Sequence, residues 1–202
     1  MLQQRAHSLD PAVCQRLLTV AAKAFAQQGY ERASLNAILA TAGIGKSTFF
    51  YYFLDKEDLF ASVLEAAIAR VAAVAGPLAP PADPSHFWQE ATAIIERWGL
   101  AAAAEPGFVG LLRAFQPMRR HASPRLLRVM DEARGVYRAL LVRGVELGLV
   151  RGDIDVDTLV ALADAIDLVL DDEFHRNPAP DRAAVDAHRS RVIDIVQRLV
   201  RR

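Results

Sequence analysis

Hydrophobic residues recur every three or four positions along most of this chain, which is the spacing of one face of an α-helix. The first such stretch starts after the cap residue Asp10 and is predicted to end at Gly29. Ser34 then caps a short second helix, Gly43 supplies a turn, and a third short helix follows over residues 46–53. The N-terminal quarter of the chain is therefore predicted to be three helices.

The third helix has an aromatic face. Phe49 and Phe53 lie one turn apart and are predicted to pack inward together. Neighbouring residues on a helix point about 100° apart, so at most one of Tyr51 and Tyr52 can be well buried beneath that face. At least one tyrosine is therefore expected to reach outward.

A fourth, longer helix begins at Asp55, and Asp58 can complete a variant capping box there. Its predicted inward stripe is Leu59, Val63, Ala67 and Val71. The proline-rich segment GPLAPPADP, residues 76–84, cannot continue the helix because proline lacks the backbone donor. Beyond it the same spacing predicts helices at about 85–104, 107–119, 124–148, 155–173 and 181–201. No segment suggests a β-sheet, so the predicted fold is all-α.

Composition and charge narrow the classes of protein. The chain is 52% hydrophobic and rich in alanine, as expected of a globular helical protein. It has 24 basic and 24 acidic residues, so contact with nucleic acid must come from a local surface. The lone Cys14 cannot form an intramolecular disulfide. Because no apolar run approaches the ~20 residues that cross a bilayer, and the N-terminus lacks a signal-peptide pattern, we expect a cytoplasmic protein without membrane contact.

The second and third helices have the form of a DNA-binding motif. Two short helices joined by a glycine-bearing turn, the second with small polar and tyrosine side chains, are typical of a helix-turn-helix that enters a major groove. No acidic residue occurs from Arg32 to Leu54, although Glu31 and Asp55 stand immediately outside. The predicted contact surface therefore presents no carboxylate to repel phosphates.

The sequence ASLNAILATAGIGKSTFFYYFLDKEDLF closely resembles the DNA-binding signature of the TetR/AcrR family of transcriptional regulators, and the close resemblance covers residues 11–64. It implies a three-helix helix-turn-helix DNA-binding domain, assigned to residues 1–56, and a helical ligand-binding and dimerisation domain over residues 57–202. It also implies a double-stranded DNA operator, a small-molecule effector and a homodimer formed by the last two helices. It implies no catalysis and no cofactor.

The resemblance extends to individual residues. Lys46 matches the phosphate-contacting lysine of the family, and Thr48 and Tyr51 match positions that touch phosphates or base edges. Tyr52 matches an aromatic position that often meets the DNA backbone, and Lys56 lies where the fourth helix approaches a phosphate. The whole predicted DNA-contacting set is Ser34, Gly45, Lys46, Ser47, Thr48, Tyr51, Tyr52 and Lys56.

The chain departs from the family pattern at two positions, and the departure at Phe50 leaves an alternative open. Gly45 stands where the family often has a polar cap, and Phe50 stands where it often has a tyrosine, so a common hydroxyl contact is missing. A helical ligand-binding or scaffolding protein whose helix-turn-helix no longer binds DNA is the alternative from another class.

An enzyme is the third hypothesis. Residues 40–47, ATAGIGKS, match a relaxed form of the P-loop sequence pattern. A P-loop must follow a buried strand, but the hydrophobic residues before this segment have the spacing of a helix. The acidic cluster Asp171, Asp172, Glu173 and His175 could bind a cation, although carboxylates at a helix end are usually solvated. No metal site is predicted.

Large apolar side chains on three predicted helices could line one effector cavity, but aromatics at helical spacing are more often core residues. Arg97 and Arg113 could serve an anionic ligand or face water. The predicted ligand-binding residues are Trp88, Trp98, Phe108, Phe115, Met118, Met130 and Tyr137. Apolar stripes on the last two helices predict the dimer interface: Leu159, Leu162, Ile166 and Val169, with Val185, Val192, Val196 and Leu199. The effector is expected to be mostly apolar and to lower DNA affinity.

Overall fold

The computed structural model describes residues 10–77, 79–174 and 182–202. In this part of the chain the only β-type pairing is an isolated bridge between Val150 and Arg201. The helices are α1 (Pro11–Arg32), α2 (Leu35–Ala42), α3 (Lys46–Tyr52), α4 (Lys56–Ala75), α5 (Phe87–Ala104), α6 (Phe108–Phe115), α7 (Pro124–Ala133), α8 (Gly135–Glu146), α9 (Val156–Phe174) and α10 (Arg182–Val200). The predicted all-α fold class is confirmed. None of the described helices is long and apolar enough to cross a membrane.

The caps predicted for the first helices are present. The Asp10 carboxylate accepts a hydrogen bond from the backbone N–H of Ala12 at 2.8 Å. Gly29, at φ 76° and ψ 165°, interrupts α1, and the chain then makes one more turn to Arg32. The glycine predicted to end the helix therefore kinks it, because its positive φ is left-handed backbone that carries no penalty for glycine. Ser34 caps α2 through its side-chain oxygen.

The start of α4 carries the predicted capping box in a variant form. The Asp55 carboxylate accepts from the backbone N–H of Asp58 at 2.8 Å. The Asp58 carboxylate accepts in turn from the N–H of Leu54 at 3.0 Å, one residue before the usual partner. The predicted inward stripe of α4 is buried throughout.

Packing divides the chain into two compact units. The first unit contains the described residues up to Gly76 together with Trp98–Ala133, and the second contains the described residues of Pro77–Arg97 and Arg134–Arg202. α4 lies wholly in the first unit, whereas α5 contributes residues to both. The boundary predicted after residue 56 is one between the DNA-binding and the ligand-binding functions, not between compact units. That boundary remains a prediction.

A close helix crossing organises the first unit. A Cβ atom on Gly110 of α6 would lie 2.7 Å from the carbonyl oxygen of Ala26 in α1, so the two backbones pack almost directly against each other. Elsewhere in this unit, Arg125 of α7 forms ion pairs with Asp58 and Glu65 of α4. The backbone contact thus holds α6 against α1, and the ion pairs hold α7 against α4. Helices α1 and α4 precede and follow the helix-turn-helix in the chain.

Two predicted helices in the C-terminal half differ from the structure. The continuous helix expected over 124–148 is wrong, because the helix breaks between α7 and α8 at Arg134, whose ψ is −9°. Gly135 follows at once, and glycine is a weak helix former. The helix expected over 107–119 ends at Phe115 and continues as a 3₁₀ turn over Gln116–Met118, since Pro117 has no N–H to donate.

The core of the second unit joins four helices and the segment before α9. Its buried residues are Phe87, Ala91, Ile94, Leu140, Leu141, Val150, Leu159, Val160 and Val200. Leu159 is completely buried, so it cannot belong to the dimer stripe in which the sequence placed it.

Candidate nucleic-acid interface

The α2–turn–α3 unit is held from within by apolar side chains. Ile44 is buried under the turn, and its N–H donates to the carbonyl of Leu39 at 3.0 Å. Phe49 and Phe53 are buried with their rings stacked at 5.3 Å, which confirms that they pack inward together. The inner face of α3 is therefore fixed against the rest of the helix-turn-helix.

Much of the remaining surface of α3 is open to solvent. Lys46, Ser47 and Thr48 are exposed, and Tyr51 is 54% exposed. Tyr52 is half-buried, and its ring meets that of Tyr51 edge-on at 4.9 Å. The prediction that at least one tyrosine reaches outward is confirmed. Lysine, hydroxyl and phenol groups on one short helix can together donate to phosphates and base edges.

The residues that precede the two short helices are both exposed. Ser34 is exposed while it caps α2, and Gly45 is the exposed N-cap of α3 and provides no side chain to accept from the first turn. One side chain that the sequence reasoning missed is Arg16 of α1, whose Nε donates to the carbonyl of Ala42 at the end of α2 over 2.8 Å. Arg16 therefore fixes α2 on α1.

Lys56 has a different environment from the one that the resemblance implied. Its ammonium donates to the carbonyls of Tyr30, Ala33 and Glu31 at 2.9, 3.3 and 3.4 Å. It also lies 4.3 Å from the centre of the Tyr30 ring. Burial, with repulsion from Glu57 and other acids nearby, raises the pKa of Tyr30 to about 12. Because the Lys56 ammonium is bound to these protein groups, the DNA surface proposed for this protein does not include it.

The seven residues predicted to line one cavity are divided between the two units. Trp88 and Tyr137 line a cavity of about 50 Å³ in the second unit, together with apolar side chains of α5, α8, α9 and α10. The other five are buried in the first unit: Trp98, Phe108, Phe115, Met118 and Met130. Among them, Met118 also lines a surface groove of about 280 Å³ beside α1 and α6, where the exposed Arg113 lies.

Two side chains that line the cavity of the second unit, Trp88 and Gln197, make polar or cation–π contacts. The Gln197 amide donates to the Thr92 hydroxyl at 2.8 Å, and the Arg201 guanidinium lies 4.6 Å from the centre of the Trp88 ring. These pairs join α5 to the end of the chain across about a hundred positions, so no local sequence signal could have found them. Arg97 donates to the carbonyl of Pro77 at 3.1 Å.

The structure also bears on the enzyme alternatives. The P-loop hypothesis for residues 40–47 is wrong, because this segment runs from helix α2 into helix α3 and no strand precedes it from residue 10 onward, where the described part of the chain begins. Within the described residues no group of three or more His, Cys, Asp or Glu side chains could hold a metal ion. The side chains of Asp171, Asp172, Glu173 and His175 lie outside the described part of the chain.

Comparison with known proteins agrees with the geometry of α2 and α3. Residues 17–63 match the family model for bacterial regulatory proteins of the tetR family. The chain is 32% identical over 142 residues to the HTH-type transcriptional repressor NicS of Pseudomonas putida, covering 68% of this chain and 66% of NicS. It is 28% identical over 197 residues to the HTH-type transcriptional repressor AcnR of Corynebacterium diphtheriae, covering 93% of this chain and 90% of AcnR.

The fold of the chain is also found among solved structures. A crystal structure of a tetR family transcription regulator from Shewanella sp. PV-4 matches with a TM-score of 0.69 and 21% identity, covering 93% of this chain and 97% of that one. The family matches also confirm that the chain is a regulator rather than an enzyme. The chain belongs to the TetR/AcrR family of DNA-binding transcriptional regulators.

Proposed function

We propose that this protein is a homodimeric repressor that binds a palindromic DNA operator through α2 and α3 and leaves it when a small, mostly apolar effector binds. The observation that carries the proposal is the exposed, acid-free face of α3. Lys46 can bind a phosphate, while Ser47, Thr48 and Tyr51 supply hydroxyls that can donate or accept. Such a surface can bind the DNA backbone and contact base edges in a major groove. DNA reading is assigned to residues 1–56.

The proposed dimer rests on an apolar stripe along α9. Leu162 is 38% exposed and Val169 is 66% exposed, and Ile166 lies between them on the same face. On α10, Val196 and Leu199 pack partly against the core of the second unit. A stripe of this kind can pair with its own copy around a two-fold axis, and a two-fold protein binds two half-sites of opposite orientation.

The effector is proposed to bind in the cavity of the second unit. Trp88, Tyr137 and Gln197 are the side chains with polar groups among its otherwise apolar walls. A cavity of about 50 Å³ is well below the ~300–1,000 Å³ typical of ligand sites, so an effector must repack the walls as it enters. A ligand that favours the repacked state can shift the protein between two conformations.

The DNA part is tested by fluorescence anisotropy with the purified full-length protein and the DNA upstream of its own gene. We expect saturable binding that exceeds binding to scrambled DNA of the same composition by at least ~10³-fold. Equal affinity for the two DNAs would overturn the proposed repressor function and favour the helical scaffolding protein.

The effector part is tested by reciprocity. Apolar compounds are screened by thermal shift, and the affinity of each hit is measured with and without saturating operator DNA. Coupling of ~1–3 kcal/mol predicts that operator weakens ligand binding by about 5–150-fold. Equal ligand affinities in the two measurements would exclude release by that ligand, even if the protein binds operator tightly.

A further inference from the structure

We propose that Phe50 reads the methyl group of a thymine in each half of the operator, and so contributes a preference for thymine at that position. The inference rests on the proposed DNA-binding function. It concerns the position at which this chain has a phenylalanine where relatives often have a tyrosine.

Phe50 is an exposed aromatic on the open side of α3. The residue is 54% exposed although its side chain carries no polar atom. The Phe50 ring also packs against the protein, because it meets the buried Phe49 ring edge-on with the ring centres 5.1 Å apart. Phe49 is itself stacked on buried Phe53, so the contact at the base of the Phe50 ring is part of the packed core.

The position of Phe50 relative to Lys46 puts both residues on one side of α3, the side at which the proposed phosphate contact lies. The two residues are four positions apart on α3 and therefore lie on one side of the helix, about one turn from each other. If Lys46 binds a phosphate, the Phe50 ring is held next to that strand. Lys46 would then contribute to the affinity for DNA of any sequence, and Phe50 would contribute to the base preference.

The chemistry of the major groove decides what such a ring can recognise. A phenylalanine cannot donate or accept a hydrogen bond, so it cannot distinguish the N and O atoms of base edges. The C5-methyl group of thymine is the apolar feature of that groove, and phenylalanine is among the side chains that contact it. Covering this methyl with the Phe50 ring removes apolar area from water on both partners.

The test uses uracil, which differs from thymine only by this methyl. An operator is first selected from a random-sequence DNA library with the full-length protein, and each of its thymines is then replaced by uracil in turn. Burial of one methyl group predicts a loss of about fourfold in affinity at one thymine per half-site. Symmetric replacement in both half-sites should cost about sixteenfold.

Two variants separate a contact by Phe50 from an effect of uracil on DNA shape. F50A should bind the thymine operator more weakly and should no longer discriminate between the thymine and uracil operators. V74A truncates another exposed apolar residue, on α4, and should keep the full discrimination. A double-mutant cycle between Phe50 and the methyl isolates their interaction.

Three results would overturn the inference. The first is that uracil lowers the affinity at none of the operator's thymines. The second is that F50A discriminates between the thymine and uracil operators as strongly as the parent does. A third is loss of discrimination in V74A as well. If the selection recovers no preferred DNA at all, the proposed operator binding itself is wrong, and that outcome is distinct from tight binding without methyl discrimination.

Discussion

Lys46 and Lys56 carry the same charged group in one small module, yet their surroundings differ. The Lys46 side chain is exposed at the start of α3, whereas the Lys56 ammonium is shared by three carbonyls near the end of α1. Charge on an exposed helix can neutralise a phosphate, but a cation that caps carbonyls stabilises the fold instead. Substitutions at the two lysines should therefore have different consequences.

For Lys46→Ala we expect weaker binding to every DNA sequence, because a phosphate contact carries no base preference. The slope of log affinity against log salt concentration should fall by about one phosphate contact. Anisotropy titrations at several salt concentrations measure both quantities. Lys23→Ala, on an exposed lysine of α1, is the matched control and should change neither. A Lys46→Ala protein with an unchanged slope would show that Lys46 does not touch DNA.

For Lys56→Met we expect a loss of about 1–3 kcal/mol in the free energy of unfolding, because three carbonyls lose a partly buried charged donor. Urea unfolding followed by circular dichroism measures this loss. The salt slope of DNA binding should match the parent under conditions where the variant is folded. A slope lowered by about one contact would instead return Lys56 to the DNA surface.

Tyr30 predicts a stability change at alkaline pH. Its pKa is about 12 in the folded protein and about 10 in an unfolded chain, so the fold holds the phenol proton more tightly. This contribution is complete below pH 10 and is lost as the pH rises from 10 to 12. Tyr30→Phe should lose less stability than the parent between pH 9 and pH 11. Tyr51→Phe, which removes an exposed phenol, is the control, and equal losses in all three proteins would contradict the assignment.

At the level of elements, the crossing of α1 and α6 is the contact that glycine makes possible. A Cβ on Gly110 would lie 2.7 Å from the Ala26 carbonyl oxygen, 2.9 Å from the Ala26 Cβ and 3.0 Å from its Cα. All three are backbone or Cβ atoms, which cannot rotate away. Any larger residue at this position must separate the two helices.

Gly110→Ala should therefore lower the free energy of unfolding by about 1–3 kcal/mol, as overpacking of a tight contact does. Gly135→Ala at the start of α8 is the matched control, because an added Cβ there meets nothing within 4 Å. We expect that variant to be unchanged or more stable by up to about 1 kcal/mol, since alanine favours helix. Urea unfolding tests both variants, and equal stabilities would mean that α6 does not pack closely on α1.

At the scale of the whole molecule, the proposed operator binding depends on two copies of the chain. Val169→Glu introduces a charge at a side chain that is 66% exposed in the isolated chain, so the fold of one copy should tolerate it. In a dimer interface the same charge would be buried without a partner, which is strongly unfavourable. We expect the variant to sediment as a monomer at micromolar concentration and to bind operator much more weakly than the parent.

The control for this prediction is Val74→Glu, which places the same charge at a 70% exposed valine of α4. It should sediment like the parent and bind operator with similar affinity. A parent protein that is monomeric at micromolar concentration, or a Val169→Glu variant that stays dimeric, would exclude the α9 stripe from the interface.

The amino-acid sequence by itself determined the parts of this protein that depend on local spacing. The caps at Asp10, Ser34 and Asp55, the stacked pair Phe49 and Phe53, and the family signature are readable because each involves residues within a few positions of one another. Periodicity and capping are local properties of the chain, and they are sufficient for a helical fold with short loops.

Residues of the same type, or with the same helical spacing, are indistinguishable in the sequence. Only the tertiary structure decided which of them lie together in one site. Trp88 and Trp98 look alike in the sequence, but only Trp88 faces the cavity of the second unit. Leu159 has the spacing of the stripe on α9 and is nevertheless completely buried in the core. The physical reason is that helical spacing gives the direction in which a side chain points along its own helix. What lies in that direction depends on helices brought together from distant parts of the chain.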